Sequence, residues 1–120
     1  MTGKLDSMLA LHDAVKAGGD IPWGHADGPA RKALGHLWAY GMETYLGSLD
    51  AAHALHKAVL PGWLMVEMSE GDKSSYLNNW VVVLGRKEDE GVGLTEANSD
   101  TPARAWLLAI LTALKAKGDA

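Results

Sequence analysis

The apolar positions of this chain change their spacing from helical to extended and back to helical. Leu5, Met8, Leu9, His12 and Val15 share one helical face, and Gly18-Gly19 closes that first element. Residues 20–29 (DIPWGHADGP) are rich in Gly and Pro and read as a loop, with Trp23 as its anchor into the body. Ala30, Ala33, Leu34, Leu37 and Trp38 predict a short helix. Gly35 and Gly41 weaken the pattern, so irregular chain is expected up to Tyr45. Ser48 is a good N-cap for a helix over Leu49–Leu60, which has a face of small residues (Ala51, Ala52, Leu55, Val59) and is stopped by Pro61-Gly62.

The pattern then becomes extended. Trp63–Ser69 predicts a strand, Tyr76–Gly85 a second, and Val92–Ala97 a shorter third. The intervening turns are short, so the pairing must be antiparallel. Asn78 and Asn79 stand out in an otherwise apolar strand and read as its exposed start, beside the alternatives of a ligand-binding face or a closed sheet edge. Trp63-Leu64-Met65-Val66 and Trp80-Val81-Val82-Val83-Leu84 are continuous apolar runs, which predicts a sheet covered on both faces.

The last element is the clearest. Thr101 or Asp100 caps it, Pro102 takes the first helical position, and Lys115, Lys117 and Gly118 mark its end. Its apolar residues run well beyond the Trp106–Leu114 stripe to include Ala105, Leu108 and Ala109. With Leu49–Leu60 expected on one sheet face and Pro102–Lys117 on the other, the predicted architecture is α+β. It is a three-layer helix, antiparallel sheet, helix sandwich of two or three strands. All 120 residues form one domain: a helical N-terminal addition over 1–44 and a core over 45–117.

Composition narrows the function classes. The chain contains no cysteine, which excludes disulfides and Cys-based zinc or nucleophile chemistry. It has no signal-peptide pattern and no apolar run near the roughly 18 residues of a membrane span, so a cytoplasmic, non-membrane protein is expected. The net charge is only −4, but residues 67–100 carry eight carboxylates against Lys73, Arg86 and Lys87. Such a segment argues against direct nucleic-acid binding and is compatible with docking on a basic protein surface. Glu70, Asp72, Glu88, Asp89 and Glu90 are the candidates for that contact, beside the simpler reading of solubilising charge on loop tips.

Catalytic patterns are weak. His53 and His56 are spaced to share a metal, but a third ligand would have to come from His36 or Glu43. His12 on its apolar stripe reads as a core-edge residue. Trp23, His25 and Asp27 form a candidate ligand loop with no nucleophile beside them. Ser48 is accounted for as a cap, and Glu67 and Glu70 as solvated strand carboxylates. No phosphate-binding loop is present; Gly91-Val92-Gly93 precedes a strand rather than following one. No cofactor is expected.

Ser48-Leu49-Asp50-Ala51-Ala52-His53-Ala54-Leu55, the passage Val59-Leu60-Pro61-Gly62-Trp63, the strand Trp80–Leu84 and the opening of the last helix, Asp100–Leu111, occur in an order that resembles the phage ABA sandwich domain family. The resemblance spans roughly Tyr45–Lys117. It implies helix–sheet–helix layering and a bacteriophage or prophage origin, and it brings no catalytic residues. Residues 1–44 are an addition to that pattern. The expectation is a non-enzymatic phage accessory protein that binds a host or phage protein, for instance as an inhibitor of a host defence system. The alternatives are a small-ligand or metal binder using Trp23–Asp27 and His53/His56, and a self-associating homodimer with an open sheet edge.

Overall fold

The computed structural model describes residues 4–18, 21–24, 28–70, 80–86, 95–99 and 101–118. Helix α1 spans Lys4–Ala17, α2 Pro29–Leu34 and α3 Trp38–Tyr45, with a single 3-10 turn over Gly35–Leu37 between the last two. Helix α4 (Leu49–Val59) leads into strands β1 (Trp63–Glu70), β2 (Trp80–Arg86) and β3 (Thr95–Ser99), and α5 (Pro102–Gly118) follows. The strands form one antiparallel sheet in the order β1-β2-β3. The expected class, α+β with helices flanking a three-stranded antiparallel sheet, is the class observed.

The caps act as their residue types dictate. The Ser48 hydroxyl accepts the Ala51 N–H at 3.1 Å, and the Thr101 hydroxyl accepts the Arg104 N–H at 3.1 Å. The segment up to Tyr45 departs from expectation, because helix resumes at Trp38 instead of giving way to irregular chain. Gly35 supplies the break with φ +59°. Gly41 does not break α3 because it is needed there: a Cβ at this position would lie 2.6 Å from Leu34 Cδ1 and 3.0 Å from Trp23 Cζ3. The glycine lets α3 close onto the Trp23 ring.

Helix α5 lies at the centre. Nine of the eleven residues 103–113 are buried, all but Arg104 and Thr112. A helix buried around its whole circumference needs partners on every side. The sheet lies against one side of α5, while α1, α3 and α4 also pack on it. Leu108 and Ala105, which fell outside the amphipathic stripe, are thereby covered within the chain. Helix α4 is placed differently from expectation: it packs on α3 and α5, with Ala51, Ala52 and Leu55 inward. The apolar excess of α5 makes it a better partner for the small-residue face of α4 than the second sheet face is.

The sheet is correspondingly two-sided. Val82 and Leu84 are fully buried, with Met65 and Met68 as their β1 partners and Ala97 and Thr95 as their β3 partners. Val81 and Val83, on the opposite face, are only half-buried, and Leu64 is 54% exposed. The continuous Val run therefore marks a strand with one covered and one open face, not one buried on both. Val66 has no partner in the β1–β2 register, sits in a β-bulge between Met65 and Glu67, and is 59% exposed.

A core truncation at the centre of α5 tests how fully that helix is enclosed. Leu107→Ala is expected to cost about 2–5 kcal/mol in denaturant unfolding. Leu46→Ala, at a residue 73% exposed, should stay within about 0.5 kcal/mol.

Candidate functional site

The two histidines of α4 point to different surroundings. His53 is exposed, with its ring tilted toward Trp106 at 6.2 Å between centroids. His56 is buried, and both of its ring nitrogens are engaged. Nε2 lies 2.9 Å from the Trp63 carbonyl oxygen, and Nδ1 lies 3.0 Å from the Trp106 indole Nε1. The carbonyl can only accept and the indole can only donate, so the ring hydrogen sits on Nε2 and Nδ1 accepts. The imidazole ties α4 to the start of β1 and to α5, and its plane is inclined at 71° to that of the Trp106 ring. A metal on His56 would have to displace one of these bonds. Among the described residues, no three His, Cys, Asp or Glu side chains lie together in a group able to hold a metal ion.

Trp23 is in the core rather than in a ligand loop: it is buried, with its ring 5.6 Å from that of Tyr45. The Tyr45 ring also carries the Arg104 guanidinium, 4.3 Å from its centroid, and Arg104 Nε donates to the Tyr45 carbonyl at 3.0 Å. This cation–π stack joins α3 to α5. His25 and Asp27 lie outside the described residues. So do Asp72, Glu88, Asp89 and Glu90 from the acidic candidate set, and Asn78 and Asn79; of Glu70 only the backbone, at the end of β1 opposite Trp80, is described. His12 is half-buried at the edge of the core, with Nδ1 3.3 Å from the Asp13 carboxylate.

The described feature that best resembles a contact surface is the open face of the sheet. Glu67 of β1, Val83 of β2 and Glu96 of β3 are direct partners in the register and form one row across it. Both carboxylates are exposed, and Glu67 accepts a 2.8 Å hydrogen bond from Ser69, the next outward residue along β1. Adjacent strands are about 4.8 Å apart, so Val83 sits between acidic groups about 10 Å from each other. Val81 and Leu64 extend the apolar strip on either side of that row, and the bulged Val66 adds to it at the edge. Sequence reading assigned Glu67 to solvent and left Glu96 unmarked. The alternation that reveals both is the polar break after each apolar run, set against the buried pair Val82 and Leu84.

No helix among the described residues is long and apolar enough to cross a membrane. Compared with protein-family models, with curated proteins and with solved structures, the chain matches none.

The histidine arrangement yields a direct test. His56→Phe keeps a ring but orphans the Trp106 N–H, which is expected to cost on the order of 1–3 kcal/mol. Trp106→Phe should then cost less in the His56→Phe background than in the wild type, with a coupling above about 0.5 kcal/mol in a double-mutant cycle. Strict additivity would show that the bond contributes nothing. Zinc added to the wild-type protein should leave its melting temperature unchanged.

Proposed function

We propose that the protein is a non-enzymatic phage or prophage accessory protein that acts in the bacterial cytoplasm by binding another protein through the open face of its sheet. The observation that carries this reading is the row Glu67–Val83–Glu96, an apolar strip held between two exposed carboxylates. Such a strip fits a partner that presents an apolar patch flanked by Lys or Arg. The acidic excess over residues 67–100 has the same sign and would favour a basic partner. A basic surface that otherwise holds nucleic acid is one such partner, and inhibition of a host defence nuclease is the concrete form of the idea. The phage origin rests on the order of the Ser48–Leu55, Trp80–Leu84 and Asp100–Leu111 segments and their resemblance to the phage ABA sandwich family.

Self-association through this face is disfavoured by the same carboxylates. A two-fold contact sets like surface on like surface, which here brings acidic rows toward one another. The heterologous partner therefore ranks above the homodimer.

Affinity capture from phage-infected bacteria, run in parallel with wild-type protein and a Glu67→Lys/Val83→Lys/Glu96→Lys variant, tests the proposal. The wild type should retain a partner whose binding weakens as salt rises, and the variant should lose it by at least tenfold. Reversal of Glu88, Asp89 and Glu90 to Lys should weaken the same partner less. A partner held equally well by wild type and by the sheet-face variant would remove the open face from consideration.

A further inference from the structure

Between α1, β3 and α5 runs a half-open groove of about 460 Å³, lined by His12, Lys16, Glu96, Ala97, Leu108 and Thr112. Successive residues of a strand project to opposite faces, so a groove lined by both Glu96 and Ala97 meets the edge of β3. That edge faces away from β2 and, among the described residues, has no neighbouring strand. We infer that this groove accepts an extended peptide segment of a protein partner, which adds to β3 as a fourth strand. The inference concerns the β3 edge, which shares only Glu96 with the open sheet face, and it stands without that reading.

Three features fit a strand better than a compact small molecule. First, β3 pairs with β2 without a bulge from Thr95 to Ser99, so its backbone keeps the regular extended geometry that an added strand needs beside Glu96 and Ala97. The opposite edge is blunted by the bulge at Val66, a device that discourages pairing there. Second, the floor and far wall are built for alternating side chains. On the side shared with Ala97 the groove offers the apolar surface of Leu108, with His12 and Lys16 one helical turn apart on α1. The Thr112 hydroxyl donates to the Leu108 carbonyl at 2.8 Å, so it turns acceptor capacity toward the groove. Third, the charges differ on the two faces: a cation on α1 inside, and the exposed Glu96 on the open face outside.

The peptide chemistry follows from that division. Residues pointing inward are small and apolar over Leu108 and acidic beside Lys16. The residue paired with Glu96 on the outside is Lys or Arg, because opposite charges directly across a sheet attract. The partner segment is thus an extended stretch in which acidic or apolar residues alternate with basic ones.

A bead-displayed library of random linear heptapeptides, selected against the intact protein, tests this. Enriched sequences should show the two-residue alternation, and the best synthetic peptide should slow amide exchange at alternate positions of Thr95–Ser99. Lys16→Glu, a change at an exposed residue, should weaken that peptide at least tenfold, and Thr112→Trp, which fills the groove, should abolish binding. Glu96→Lys should shift the outward preference from basic to acidic residues, and Glu67→Lys, two strands away, should leave affinity within twofold. If Thr112→Trp fails to fold, Lys16→Glu and Glu96→Lys carry the comparison. The inference is overturned if no sequence is enriched, if the protected amides lie outside β3, or if Lys16→Glu and Glu67→Lys weaken binding alike.

Discussion

Helix α5 is buried around most of its circumference, and most of the architecture follows from where its neighbours must go. Ala105, Leu107, Ala109, Ile110, Leu111 and Ala113 are fully buried, and no single surface could cover residues so placed around a helix. Each fully buried Leu or Ile is worth roughly 1.5–3 kcal/mol relative to exposure, so leaving one side of α5 wet would cost several of them. The sheet takes one side and helices α1, α3 and α4 take the others. Two polar links fix the neighbours on α5. Arg104 stacks on Tyr45 and bonds its carbonyl, and His56 joins Trp106 to the Trp63 carbonyl.

This allocation has a functional consequence. Once α4 is spent on α5 and α3, it does not also serve as the cover expected for the outer side of the sheet. Val81, Val83 and Leu64 stay partly in water, bordered by Glu67 and Glu96. The side chains that looked most like chemistry are absorbed by the same core: Trp23 packs on Tyr45, and His56 uses both ring nitrogens internally. The described polar surface left over includes the open sheet face and the β3 edge, the two surfaces to which we assign binding.

Element identity was legible wherever local chemistry decides it. Ser48 and Thr101 cap the helices they were expected to cap, and the Trp63 and Trp80 runs are strands. Gly41 misled because glycine in a helix signals either a break or a close approach, and only the position of Trp23 and Leu34 tells them apart. The Val81–Val83 run misled for a related reason: Val81 and Val83 have the same side chain as buried Val82, and the difference lies in which face of the sheet α5 covers. The His53/His56 spacing is compatible with a metal pair and equally with one ring turned inward. The choice depends on Trp106 and Trp63, which approach from distant parts of the chain. The open-face row of carboxylates required the β1–β2–β3 register, and the bulge at Val66 shifts that register in a way that periodicity alone does not encode.

The central claim is that α5 seals one face of the sheet and that the described residues leave the other face open. Methyl NMR of the free protein with a soluble paramagnetic agent measures this directly. The account predicts strong relaxation enhancement at Leu64 and Val66, intermediate enhancement at Val81 and Val83, and almost none at Val82 and Leu84. Protection of the Leu64, Val81 and Val83 methyls equal to that of Val82 and Leu84 would mean that the outer face is covered within the chain, and would contradict the account.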